Sequence, residues 1–95
     1  MLDEKEFAEN MSSQARELAP AEFSSDEVDL IAENIKSFIL LAGEGLNKED
    51  ELDDNQKIFI AQLIAEWTFH KTVDIIRAKI PPEYSNAILQ KIAPY

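Results

Sequence analysis

Apolar residues recur along this chain at spacings of three and four, which is the period of an α-helix that buries one face. No segment shows the sustained period of two that a half-buried strand requires. The few glycines and prolines fall between the periodic segments, where they separate one helix from the next. The pattern therefore predicts an all-α protein with helices over about residues 3–18, 25–43, 54–79 and 82–93.

The second and third helices carry the clearest start signals. Ser24 and Glu27 have the spacing of a capping box, in which each side chain bonds the backbone N–H of the other residue. Asp53 and Gln56 offer the same arrangement before the third helix. We therefore expect these two helices to begin directly after residues 24 and 53.

Glycine and proline mark the predicted helix ends. Gly43 or Gly45 is expected to end the second helix, since glycine readily adopts the left-handed conformation that follows a last turn. Pro81 and Pro82 must stop the third helix near Lys79, because proline lacks an N–H and disfavours helical backbone before it.

The last helix is predicted to begin around Pro82, because proline suits the first turn of a helix. Tyr84, Ile88 and Ile92 follow one another at spacings of four, the arrangement of one apolar stripe. We expect this stripe to face the core.

The third helix is long and carries apolar residues on two faces. One face has Ile60, Leu63, Ile64, Trp67 and Ala78, and the other has Ile58, Ala65, Phe69, Val73, Ile76 and Ile80. A helix that is apolar nearly all round is buried nearly all round. We therefore expect an antiparallel four-helix bundle with a long central third helix, covered by the other helices or by a second copy of the chain. Leu30, Leu40 and Leu41 also need cover, which favours a homodimer.

Charge is distributed unevenly along the chain. With 95 residues and 45% apolar content, the chain has the size and composition of a single domain spanning residues 1–95. Its net charge is −10. Residues 1–54 carry 16 acidic residues against four basic ones, whereas residues 55–95 carry three against five. The acidity therefore belongs to the first part of the molecule.

The negative net charge and the absence of cysteine exclude some classes of binding partner and some cellular locations. An acidic surface repels phosphate groups, so neither nucleic acid nor an anionic membrane is an expected partner. A protein partner with a basic surface fits the charge. Without cysteine the chain forms no disulfide or thiolate metal site, and the first residues lack the regions of a signal peptide. The expected location is cytoplasmic.

Four polar residues share one side of the predicted third helix: Glu66, His70, Asp74 and Arg77. Their spacings of three and four allow ion pairs along the helix, and His70 is the only histidine. Three interpretations are open for these residues. They form a solvated strip, or a partly buried interaction site whose His70 makes a dimer sensitive to pH, or a site for a metal or for acid–base chemistry.

The metal interpretation would use Glu66, His70 and Asp74 as ligands. Carboxylate sites in helical bundles draw Glu-x-x-His motifs from several helices, whereas this chain has a Glu-x-x-x-His spacing and one histidine. No serine lies within helical reach of His70, and no glycine-rich phosphate loop is present. No cofactor is therefore predicted, and the balance of signals favours a protein without catalytic activity.

The favoured function is that of a small acidic helical protein–protein interaction module, acting as a regulator, adaptor or inhibitor of a basic partner. The alternative is a bundle with a metal or ligand site around Glu66, His70 and Asp74, which could be hydrolytic. Several carboxylates converging on His70 in a pocket would favour the alternative. A filled core with an exposed apolar patch would favour the interaction module.

Overall fold

Four α-helices and one short 3₁₀ turn make up the computed structural model, which describes residues 1–93. The helices are α1 (Glu4–Leu18), α2 (Ser25–Asn47), α3 (Asp54–Arg77) and α4 (Ser85–Ile92), and the 3₁₀ turn is Pro82–Tyr84. The predicted all-α four-helix bundle is confirmed, and residues 1–93 contain no strand. Residues 94 and 95 of the predicted domain lie outside the described residues. None of the helices within residues 1–93 is both long and apolar enough to span a bilayer.

Both predicted capping boxes are present. Ser24 Oγ accepts a hydrogen bond from the Glu27 N–H at 3.2 Å, and Glu27 Oε1 accepts one from the Ser24 N–H at 2.8 Å. The box formed by Asp53 and Gln56 is equally complete, with distances of 2.8 and 2.9 Å. Since each box fixes the first turn of its helix, the starts of α2 and α3 follow from local sequence.

The predicted end of α2 at Gly43 or Gly45 is wrong. The helix continues to Asn47, and neither glycine has a positive φ. Gly43 instead allows α1 to come close, because a Cβ at this position would lie 2.8 Å from the Glu4 Cβ. Gly45 faces open space, with nothing within 4 Å of such a Cβ. The close packing of α1 therefore explains why glycine is needed at position 43, but it gives no reason for glycine at position 45.

Alanine should have opposite effects at the two glycines. Gly45→Ala is expected to stabilise the protein by about 0.5–1 kcal/mol, because alanine removes the entropic cost of glycine in a helix. Gly43→Ala is expected to lower the free energy of unfolding by about 1 kcal/mol or more, because the clash with Glu4 outweighs that gain. Urea denaturation of both variants measures the difference. Equal stabilisation by the two substitutions would refute the close approach of α1.

The end of α3 lies at Arg77, two residues before the predicted Lys79, and a Schellman motif explains the difference. Lys79 has a φ of 62°, and its N–H donates to the Ile76 carbonyl at 3.0 Å. The Ile80 N–H donates to the Ile75 carbonyl at 3.4 Å, and both isoleucines belong to one core region. The motif reverses the chain in a tight turn and places Ile80 beside the first half of α2.

The central position in the bundle belongs to α2. This helix packs extensively against both α1 and α3, whereas α1 and α3 share few contacts. The side chain of Asn47 bonds both backbone groups of Leu2 at 2.8 and 2.9 Å, so the start of α1 lies beside the end of α2 and the two helices are antiparallel. The molecule is flat, with extents of 41 × 26 × 15 Å.

The third helix is therefore long but not central, which corrects the prediction. With 24 residues α3 is the longest helix, yet α1 packs mainly on α2, and the eight residues of α4 cover only part of α3. A face of α3 with Phe59 and Leu63 stays open to solvent, with these side chains 59% and 47% exposed. Of the three leucines expected to need cover, Leu30 and Leu40 pack against the core and Leu41 is exposed.

The core consists of two clusters of buried apolar side chains. The first joins α1, α2 and α3 and contains Ala8, Ala15, Ile31, Ile35, Ile39, Ala65, Val73 and Ile76. The second joins α2, α3 and α4 and contains Phe38, Ile64, Ile75 and Leu89. Since α2 contributes to both clusters, its two sides are buried against different neighbours.

A buried hydrogen-bond network connects α2, α3 and α4. Asn34 Nδ2 donates to Ser85 Oγ at 2.9 Å and to Thr72 Oγ1 at 3.4 Å. Thr72 Oγ1 donates to the Thr68 carbonyl at 2.7 Å. All four residues are buried, and buried polar groups are costly without partners. The network therefore fixes the position of α4 on the other two helices.

The predicted apolar stripe of α4 is wrong for Tyr84 and Ile92, whereas Ile88 packs against the second core cluster. Leu89 is fully buried, whereas Tyr84 and Ile92 are 55% and 51% exposed and Ile88 is half-buried. The hydrogen bond from Asn34 to Ser85, one turn before Leu89, selects a different face of this helix for the core.

Candidate functional site

The four polar residues predicted on one side of the third helix lie on the exposed face of α3. Glu66, His70, Asp74 and Arg77 are all exposed. Among residues 1–93 no ion pair joins these four side chains to one another. His70 makes an edge-on contact with the ring of Phe69, with the ring centroids 5.5 Å apart. The exposure matches a solvated strip without the expected ion pairs, and a role of the four residues in binding stays a prediction.

Arg77 contacts the connection between α1 and α2. Its Nη2 lies 3.4 Å from Glu22 Oε1, and its guanidinium carbon lies 5.8 Å from the centroid of the Phe23 ring. The ion pair is exposed and contributes at most about 1 kcal/mol. The cation–π contact involves a half-buried ring that packs against the core. Arg77 thus holds the end of α3 against this connection, away from His70.

A cavity of about 170 Å³ opens beside Glu66 and His70, between α1 and α3. The rest of its lining is mainly apolar and consists of Met11, Gln14, Ala15, Leu18, Ile35, Ala65 and Phe69. Asp74 does not line it, so only two of the three predicted metal ligands reach one cavity. Within residues 1–93 no group of three or more histidine, aspartate or glutamate side chains is placed to hold a metal ion. The geometry gives no support to the metal or hydrolytic alternative, which stays a prediction.

A larger cavity of about 570 Å³ lies between the first half of α2 and the connection from α3 to α4. It is an open groove, and its apolar lining consists of Leu30, Ile76, Ile80, Pro81 and Pro82. Its charged lining consists of Asp26, Glu27, Asp29, Glu33 and Lys79. We call this feature the acidic groove, because four of its five charged side chains are carboxylates.

Two local structures shape the acidic groove. The capping box at Ser24 fixes the start of α2, and the helical period then places Asp26, Leu30 and Glu33 along one side of that helix. The Schellman motif at the end of α3 forms the opposite side, where Ile80 packs on the second core cluster. Hydrogen bonds to backbone groups therefore define the local conformation of both walls.

The carboxylates of the acidic groove differ in their partners. Glu27 accepts the capping hydrogen bond, and Asp29 forms an ion pair with Arg16 of α1. Asp26 and Glu33 accept no hydrogen bond from the side chains or backbone of residues 1–93, although the charge of Glu33 acts on Lys36 one turn further along α2. Lys36 lies one turn beyond Glu33, but it is hydrogen-bonded to Glu9 of α1. This bond and the charge of Glu9 raise the pKa of Lys36, and the charge of Glu33 adds a smaller contribution in the same direction.

The acidic groove is not predicted by the sequence patterns described above. In those patterns Glu27 is a helix-start signal and Pro81 is a stop signal. The carboxylates at positions 26, 29 and 33, with spacings of three and four on either side of Leu30, are the signal that could have revealed the acidic wall. No protein-family model, curated protein or solved structure matches this chain.

Proposed function

We propose that this protein is a non-enzymatic protein–protein interaction module whose acidic groove binds a basic amphipathic segment of a partner. The observation that carries the proposal is the combination of an apolar floor with an acidic wall in one open cavity of about 570 Å³. A segment that matches both features has apolar side chains on one face and lysine or arginine beside them.

The floor of the groove supports an apolar anchor. Leu30, Ile80 and Pro81 present carbon surface that is open to the cavity and rimmed by charged side chains. Binding sites of this kind have volumes of about 300–1,000 Å³ and are lined mainly by apolar groups. One or two large apolar side chains of a partner would fill the groove and remove its floor from water, which provides affinity.

The wall of the groove supports a basic partner. Asp26 and Glu33 flank the apolar floor and have no hydrogen-bond donors of their own among residues 1–93. The excess of acidic residues in the first 54 positions extends the negative field beyond the groove. Such a field increases the association rate of a cationic partner and excludes anionic ones.

A synthetic 16-residue helical peptide with leucine on one face and lysine and arginine on the other is a suitable probe. We expect the fluorescently labelled peptide to bind with a dissociation constant in the micromolar range, measured by anisotropy. A peptide of the same pattern with glutamate in place of the basic residues should not bind. Affinity should fall as salt is raised, because screening weakens the attraction.

Charge reversal in the wall is expected to weaken this binding. Glu33→Lys should reduce the affinity for the basic peptide about tenfold, because it places a cation beside the peptide's own cations. Glu51→Lys is the matched control, since Glu51 is an exposed acid in the connection between α2 and α3 and does not line the groove. Equal losses in the two variants would assign the binding to net charge and contradict the groove as the site.

A further inference from the structure

Opposite charges line the two walls of the acidic groove. The four carboxylates all belong to α2, whereas Lys79 lies in the turn that follows α3. Within residues 1–93, Lys79 is the one basic side chain that lines the groove. A ligand between the walls therefore meets negative charge on one side and positive charge on the other.

Lys79 has no ion-pair partner in the part of the chain that the structure describes. Its side chain is exposed, and the acidic residues nearest to it in sequence, Asp74 and Glu83, do not pair with it. Asp26 and Glu33 line the same groove and do not pair with it either. The groove thus keeps the opposite charges of its two walls apart, and a segment lying between the walls can pair with both.

The Schellman motif fixes the backbone from which the Lys79 side chain extends. Lys79 has a φ of 62°, and its N–H donates to the Ile76 carbonyl at 3.0 Å. Ile80 follows directly and packs on the second core cluster, and the ring of Pro81 restricts its own φ. The cation therefore extends from a defined point on the wall opposite α2.

We propose that Lys79 selects the partner of the acidic groove by pairing with an acidic side chain of the bound segment. This inference rests on the proposed function and specifies the chemistry of the partner further. The segment is an amphipathic helix that lies along the groove with its apolar face on Leu30 and Ile80. One flank of this helix is basic and faces α2, and the other flank carries an aspartate or glutamate that faces Lys79.

The ion pair with Lys79 provides discrimination among basic helices and little affinity. An exposed ion pair changes a dissociation constant by about threefold to fivefold. A helix that is basic on both flanks loses this pair and places one of its own cations beside Lys79, which is a repulsive contact. The net charge of −10 favours the more basic helix at long range, so a preference for an acidic residue on one flank has to arise locally.

Two labelled 16-residue helical peptides test the role of Lys79. Both carry leucine on one face and lysine and arginine on one flank, and the second flank carries glutamate in one peptide and glutamine in the other. Fluorescence anisotropy should show that the unmodified protein binds the glutamate peptide about threefold to fivefold more tightly than the glutamine peptide. The net charge of the protein favours the opposite order.

Lys79→Glu should reverse this preference, because it places a carboxylate beside the glutamate flank. The ratio of the two dissociation constants should change about tenfold between the unmodified protein and the variant. Any difference in helicity between the peptides cancels, since the same two peptides are compared in both proteins. Lys79→Gln removes the charge without reversing it and should abolish the preference. An unchanged circular dichroism spectrum would confirm that each variant is folded.

Lys91→Glu is the matched control, because Lys91 is exposed on α4, does not line the groove and gives the same change in net charge. This variant should keep the preference for the glutamate peptide, with the ratio changed less than about twofold. A ratio that is unchanged in Lys79→Glu, or changed equally in Lys91→Glu, would overturn the role of Lys79 while the groove remains a binding site. Failure of the unmodified protein to bind either peptide would overturn the proposed function as well.

Discussion

Asn34→Asp is expected to lower the free energy of unfolding by about 3 kcal/mol at pH 7, because it buries a charge without a cation. The two side chains have nearly the same shape, so the substitution leaves no cavity. The amide donates to Ser85 Oγ and Thr72 Oγ1, and a carboxylate cannot donate to either oxygen. The Ser85 hydroxyl can turn to donate, but the Thr72 hydroxyl already donates to a backbone carbonyl. A domain of this size has a total stability of about 5–10 kcal/mol, so the loss is large.

The loss caused by Asn34→Asp should depend on pH. Burial favours the neutral acid, so the pKa of the introduced carboxyl is raised in the folded state above its value in the unfolded chain. The folded variant then binds more protons than the unfolded one, and its stability falls as pH rises. Lowering the pH towards about 4 should therefore reduce the difference in unfolding free energy between the variant and the unmodified protein. A protonated carboxyl can again donate a hydrogen bond.

Urea denaturation of both proteins at pH 4, 5.5 and 7 measures this difference in unfolding free energy. Asn10→Asp is the matched control, because Asn10 is exposed on α1 and the same chemical change there should cost less than about 0.5 kcal/mol at each pH. A loss for Asn34→Asp as small as that of the control, or one independent of pH, would show that Asn34 does not hold α4 through a buried network.

The features of the fold that could be predicted from sequence are those that local physics determines. The starts of α2 and α3 depend on pairs of residues three positions apart, and each pair forms a complete capping box. The helical period likewise suffices to predict the fold class. Gly43 shows where local signals fail, since its role depends on Glu4, which is distant in sequence and close only after α1 packs on α2.

The candidate sites could likewise be predicted only as far as neighbouring residues determine them. The spacing of Glu66, His70 and Asp74 places them on one side of α3, as predicted, but spacing alone carries no information on what lies opposite. Arg77 contacts Glu22, which precedes it by 55 positions. The acidic groove is assembled from residues near 30 and near 80, so neither wall could be recognised as part of a site before the helices were packed.

Leu89→Ala is expected to lower the free energy of unfolding by about 3 kcal/mol, because it removes a fully buried side chain and leaves a cavity. Leu89 and Ser85 are the buried residues of α4, so the substitution removes the main apolar contact of this helix with α2 and α3. A helix of eight residues is far shorter than the roughly 12–15 needed for stability in isolation. We therefore expect α4 to detach while α1, α2 and α3 stay folded.

Hydrogen exchange followed residue by residue distinguishes detachment of α4 from global unfolding. In Leu89→Ala the amides of α4 should lose protection that those of α2 retain, since local opening requires less free energy than global unfolding. Ile92→Ala is the matched control on the same helix, and because this side chain is half exposed its loss should stay below about 1 kcal/mol. The apolar stripe predicted from the sequence includes position 92 and does not include position 89. The ranking of these two variants therefore decides which face of α4 packs against Phe38 and Ile64, and a greater loss for Ile92→Ala would overturn the docking of α4 described above.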